Sequence, residues 1–235
     1  SGSFAPRWSV SRPARRKRQN RLPTTRPSID AVFEAAGVAI FALTGAIVAA
    51  RKGMDPFGFI LLATVTGVGG GTLRDVLLGN SAFWVNDPFD VAVCSIVALA
   101  AWTTAYFRPG LLEGWAGRKI LIWADAAGLS LFAVIGTFKG LSAGAPVLSA
   151  VALGAMTASF GGILRDILAG DRPMVLWGRD FYVTAATAGA AVTALLTGLG
   201  FSMAVVMLGG LITAFGLRAG SLLRGWAFPN LPGKL

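Results

Sequence analysis

Two short stretches carry residues whose chemistry is at odds with their surroundings. Residues 67–79 read Gly-Val-Gly-Gly-Gly-Thr-Leu-Arg-Asp-Val-Leu-Leu-Gly, and residues 161–170 read Gly-Gly-Ile-Leu-Arg-Asp-Ile-Leu-Ala-Gly. Each follows its glycines with an Arg-Asp pair, Arg74-Asp75 and Arg165-Asp166, inside an apolar segment. A glycine within a helix costs about 1 kcal/mol relative to alanine. Charged side chains at membrane depth are also costly, and they face a bundle interior or a water-filled path. Two further carboxylates, Glu34 and Asp125, sit near the starts of apolar segments. Each could favour a helix N-terminus, pair with an arginine or attract a cation. Arg74 and Arg165 could likewise snorkel to an interface or hold helices together. Hydroxyls at Thr64, Thr66, Thr157 and Ser159 could line a polar path or bond back to their own helices. Lys139 reads as an interface anchor or as part of a gate or polar lining.

Composition removes the competing chemistries. Of 235 residues, 54% are hydrophobic and only 14% are charged, against about 25% in soluble domains. There is no histidine and only one cysteine, Cys94. An intrachain disulfide and a Ser-His or Cys-His nucleophile are therefore excluded, and a His- or Cys-based metal site is not expected. No resident cofactor or enzymatic activity is expected. The net charge of +10 is mostly local. Residues 1–28 hold eight of the 21 basic residues and no acidic one. That stretch, which opens with a Ser-Gly-Ser scar, reads as a disordered basic tail because prolines interrupt it. Binding of its Arg15-Arg16-Lys17-Arg18 run to anionic lipid or nucleic acid is the weaker reading, and no nucleic-acid partner is expected.

The elements that must position these groups are apolar runs of bilayer length. Seven are read: Ile29–Ala50, Pro56–Gly79, Pro88–Phe107, Ile120–Phe138, Ala145–Gly170, Asp180–Thr197 and Phe201–Leu217. The fold expected is an all-α integral membrane protein. Its parts are a tail at 1–28, a membrane domain at 29–218 and a C-terminal tail at 219–235. A single offset of 91 residues aligns Glu34-Ala35-Ala36-Gly37 with Asp125-Ala126-Ala127-Gly128. It also aligns Phe41-Ala42 with Phe132-Ala133, Gly45 with Gly136, Thr66 with Thr157 and Arg74-Asp75 with Arg165-Asp166. The repeats are 29–107 and 120–197, with a seventh helix at 201–217 outside them. Three spans per unit is an odd number, so the second copy enters from the opposite face, as an inverted repeat.

Glycines 69–71 and 161–162 lie close to mid-membrane in the second and fifth spans. Small residues allow close packing, but consecutive glycines occupy several faces and favour a kink that turns backbone groups toward a cavity. A larger side chain at Gly70 or Gly162 would then fill the path. Depth also fixes partners. Arg74 lies about 7 Å inside the face at which the first span starts, level with Glu34, and Asp125 and Arg165 are level near the opposite face. The pairs expected are Glu34–Arg74 and Asp125–Arg165, with Asp75 and Asp166 freer to face the path. Basic residues of short loops set orientation. Arg51, Lys52, Arg108, Arg118, Lys119, Arg172, Arg179, Arg218, Arg224 and Lys234 fall on one side and Lys139 on the other. That places the C-terminus in the cytoplasm and the N-terminus outside.

Two inverted triplets, a seventh helix and the paired Gly-Gly-Gly-x-x-Arg-Asp and Gly-Gly-x-x-Arg-Asp motifs resemble the trimeric intracellular cation (TRIC) channels, in their prokaryotic branch. The resemblance covers roughly residues 29–218. It implies a multi-pass protein of the cell membrane, a homotrimer with one pore in each protomer, and conduction of monovalent cations such as potassium or sodium. It also implies contact with membrane lipid. The constriction would fall at Gly69, Gly70, Gly71, Gly161 and Gly162, and Phe160 could narrow one end. Related bacterial sequences are also labelled glycine transporters, so a secondary transporter of a small solute is the alternative.

Overall fold

The computed structural model describes residues 29–177 and 181–227; the basic tail and the predicted start of the sixth span at Asp180 lie outside the described residues. The elements are α1 (Ile29–Arg51), α2 (Pro56–Leu77), α3 (Phe83–Asn86), α4 (Phe89–Phe107), α5 (Trp115–Ser142), α6 (Val147–Leu168), α7 (Met174–Trp177), α8 (Val183–Gly198) and α9 (Met203–Arg224). Six of these are long and apolar enough to cross a membrane, and α8, at 16 residues, is a shorter apolar helix. A 22-residue helix such as α2 rises about 33 Å, the thickness of a bilayer core.

Local sequence explains the ends. Asp55 caps α2, its carboxylate accepting the Gly58 N–H at 2.7 Å, and Pro56 opens the first turn. Both α2 and α6 close on a left-handed glycine, Gly79 and Gly170, each at φ 72°. In each case the residue after that glycine donates its N–H back across the last turn, Asn80 to Asp75 O and Asp171 to Asp166 O. Two elements differ from the sequence expectation. The seventh helix runs to Arg224 rather than Leu217, because Arg218 is buried within it instead of ending it at an interface. Likewise α5 extends to Ser142, so Lys139 belongs to its body and not to a loop. The short helices α3 and α7 were not foreseen, and they too lie 91 residues apart.

At the centre, α1 packs on α2 and α5, and α2 crosses α6; α4 covers α1 and α2 as α8 covers α5 and α6. Helix α9 packs mainly on α5 and α8, with no counterpart in the first half among the described residues. Contacts exchange across the middle in matched pairs. Phe41 and Phe132 stack at 5.3 Å, Phe41 lying over Gly128 and Phe132 over Gly37. Gly45 meets Thr66 and Ala63 as Gly136 meets Thr157 and Gly154.

The two glycine helices run unbroken through their clusters. At their crossing the glycines admit another backbone. A Cβ at Gly70 would run into the Thr157 carbonyl oxygen, and one at Gly161 into that of Thr66. The neighbours on other faces are Leu164 for Gly69 and Phe83 for Gly71. Gly162 is roomier: an added methyl would stand 3.3 Å from the Tyr182 hydroxyl. The two glycines expected to plug a path alike when enlarged are therefore unlike each other. Gly70→Ala is expected to destabilise the purified protein by about 1–3 kcal/mol through overpacking, and Gly162→Ala by clearly less. Unfolding titrations in detergent micelles test this, and equal losses would contradict the crossing.

Candidate functional site

The glycine motifs deliver their arginines into the interior. Arg74 is 0% and Arg165 1% exposed, so neither snorkels. A buried guanidinium needs a carboxylate within reach. Helix α1 supplies Glu34, whose Oε1 lies 2.9 Å from Arg74 Nη2, at ion-pair distance without an aligned hydrogen bond. Helix α5 supplies Asp125, whose Oδ1 accepts Arg165 Nη1 at 2.8 Å. These are the two partners that depth along the helices selects.

Asp75 and Asp166 are not free, contrary to the sequence reading. Each is 6% exposed. Each accepts its neighbouring arginine's Nε on Oδ1 at 2.8 Å. The other oxygen caps a short helix: Asp75 Oδ2 accepts the Phe83 N–H at 2.9 Å, and Asp166 Oδ2 the Met174 N–H at 3.0 Å. The physical reason is that the chain turns back at Gly79 and Gly170, which brings the open N–H groups of α3 and α7 onto these carboxylates. Phe83–Asn86 and Met174–Trp177 share no residue at matched positions, so the sequence does not signal these caps.

The two halves then diverge. Lys139 crosses from α5 and donates Nζ to Glu34 Oε2 at 2.5 Å. It is a network member, not an isolated anchor, and the residue 91 positions earlier is Val48. In the second half Arg165 Nη1 also donates to Thr44 Oγ1 of α1 at 3.0 Å. The position matched to Thr44 is Ile135, and Arg74 Nη1 has no hydrogen-bond partner among the described residues. Its guanidinium lies 5.7 Å from the Phe83 ring instead. The Tyr182 hydroxyl stands beside Asp125 at Gly162, where the first half has Val91. Thr44 and Tyr182 carry no motif, and sequence reasoning missed both.

Three of the four hydroxyls take the local option, and Thr64 Oγ1 has no hydrogen-bond partner among the described residues. Thr66 donates to Leu62 O at 2.5 Å, Thr157 to Leu153 O at 2.6 Å and Ser159 to Ala155 O at 2.8 Å. Phe160 is half-buried. Two cavities open beside the first network. One, of about 450 Å³, is lined by Asp30, Asp75 and Lys139; the other, of about 580 Å³, by Glu34, Asp87 and Asp90. No group of three or more metal-ligating side chains is found among the described residues.

The unequal second partners predict unequal costs. Arg165→Ala leaves Asp125, itself 0% exposed, with no cation, and should cost about 3–5 kcal/mol. Arg74→Ala should cost less, because Lys139 still neutralises Glu34. Adding Asp125→Asn to Arg165→Ala should recover part of the loss. Unfolding in micelles measures all three, and equal losses for the two arginines would mean that Lys139 does not carry the Glu34 charge.

Comparison with known proteins agrees with this architecture. The family model described as "Glycine transporter" matches residues 31–106 and 122–198, the two halves separately. The UPF0126 inner membrane protein YadS of Escherichia coli K12 is 40% identical over 159 residues, 67% of this chain and 74% of that protein. A crystal structure of the TRIC trimeric intracellular cation channel orthologue from Rhodobacter sphaeroides superposes with a TM-score of 0.79. It is 42% identical and covers 85% of this chain and all of that one. A second structure, from work on conductance through TRIC cation channels, superposes at 0.75 with 30% identity, covering 87% and 98%. These relatives are membrane proteins and channels, not enzymes, and the chain described here belongs to the prokaryotic branch of the TRIC channel family.

Proposed function

We propose that the protein is a cation channel of the cell membrane, permeable to potassium and sodium. One path runs through each protomer of a homotrimer. The observation that carries this reading is the α2–α6 crossing. Two helices meet backbone to backbone at Gly70 and Gly161, and each is tied at one end to a buried arginine. The path runs along this crossing. Conduction needs the two helices to part, by a kink at Gly69–Gly71 and Gly161–Gly162. The matched contacts of the two halves support an inverted repeat with its axis through the crossing. On that reading the Arg74 network lies toward one face and the Arg165 network toward the other.

The entrance on the α1 N-terminal side is acidic. Asp30, Glu34, Asp75, Asp87 and Asp90 line its cavities, against Lys139 among the lining residues. Such a mouth concentrates cations and repels anions. The opposite ends carry Arg51, Lys52, Arg118, Lys119 and Arg224. By the distribution of basic residues that face is cytoplasmic, with the C-terminus on it and the N-terminus outside. Arg218, being buried in α9, and Lys139, being paired in α5, are not loop charges, and the asymmetry stands without them.

Recording from purified protein in planar bilayers tests the reading. The expected result is discrete openings with a reversal potential set by the potassium gradient and not by chloride. Saturating solute-coupled flux without unitary currents would favour a secondary transporter for glycine or a similar solute instead. Crosslinking in detergent should give trimers, and only monomers and dimers would remove the homotrimer.

A further inference from the structure

Helix α9 lies outside the repeat, yet it reaches the second charge network through one side chain. Tyr182, immediately before α8, is 3% exposed. Its hydroxyl stands at Gly162 of the glycine cluster, beside the Asp125–Arg165 pair. The guanidinium of Arg218, on α9 and 2% exposed, covers the Tyr182 ring at 4.9 Å. A second hinge of α9 lies one turn on, where Ser221 Oγ accepts the Phe181 N–H at 3.1 Å and donates to Trp226 O. The chain of contacts is therefore Arg218 on α9, Tyr182, Asp125 on α5, then Arg165 and Gly162 on α6. The first half has nothing of the kind: Val91 occupies the matched position, and Lys139 meets Glu34 directly.

We propose that Tyr182, held by Arg218, is a positioning residue through which α9 keeps α6 seated against α2 at the crossing. This rests on the reading of that crossing as the permeation path. A hydroxyl set beside the Asp125–Arg165 pair and against Gly162 limits where Arg165 can stand, and Arg165 lies one turn beyond Gly161-Gly162. Removing the hydroxyl leaves the ion pair but frees its geometry. The ring is held from its other face by a cation in a desolvated site, where such contacts are strongest. The closed crossing then depends on a helix that lines none of it.

The test uses the full-length assembled protein with Cys94→Ala, so that a cysteine placed at Ser159 is its only thiol. Ser159 is 5% exposed and sits in α6 between Thr157 and Gly161, and cysteine is nearly its isostere. Two readouts are taken: the rate at which a small methanethiosulfonate modifies Cys at 159, and single-channel open probability. Tyr182→Phe should raise both by about fivefold, the population equivalent of one lost buried polar contact, with unitary current unchanged. Arg218→Gln should do the same. The double variant should add little, because both act through one ring. Arg218→Lys, which keeps a cation over the ring, should stay near the parent. Size-exclusion profiles identical to the parent exclude misassembly. Raised modification rates in a protein that passes no current would keep the coupling and remove the channel reading. Unchanged rates in correctly assembled Tyr182→Phe, or additive effects of the two substitutions, would overturn the proposal.

Discussion

A guanidinium buried in a membrane protein dictates what its neighbours must be. Arg74 and Arg165 are shut away from solvent, and leaving either unpaired would strand a charge in a low-dielectric interior. Each therefore requires a carboxylate from another helix at its own depth. It takes a second from the next residue in its chain. Those carboxylates are in turn oriented by α3 and α7, whose N–H groups they accept. The packing of α1 on α2 and of α5 on α6 follows from this demand as much as from apolar contact. In lipid, burying alkyl side chains gives helices little reason to prefer each other over acyl chains.

Small residues make that arrangement sterically possible. The crossing of α2 and α6 brings main chain against main chain, which no side chain at Gly70 or Gly161 would permit. Close approach and conformational weakness are two consequences of the same missing Cβ. At the crossing glycine supplies contact, and the same residue lowers the cost of bending a helix. The threonines flanking the crossing bond to their own helices, which keeps their hydroxyls satisfied while the carbonyls are approached from outside.

The repeat is obeyed in the skeleton and broken in the details. Arginine, aspartate, capping N–H and closing glycine recur at one offset, but Thr44 answers to Ile135, Lys139 to Val48 and Tyr182 to Val91. Each break adds a polar group to one side only. The first network gains a half-exposed cation beside open cavities, and the second gains a buried hydroxyl backed by α9. The two networks thus carry different chemistry on a common frame.

Much of this was written in the chain. Segment length and hydropathy set the spans, because a bilayer admits little else. The offset of 91 set the repeat, because arginine and aspartate are too rare in such helices to recur by chance. Helix rise set the pairs Glu34–Arg74 and Asp125–Arg165, because depth along a straight helix is a linear function of position. Rotation about the helix and reach across space are not. Whether Asp75 faced a path or a capping N–H depended on how the chain folded back after Gly79. Whether Gly70 faced lumen or the Thr157 carbonyl depended on the crossing of two helices 91 residues apart. The places of Thr44, Lys139, Tyr182 and Arg218 depended on contacts between helices distant in sequence. Local order carries depth; only tertiary packing decides direction, and direction made these four residues part of the networks.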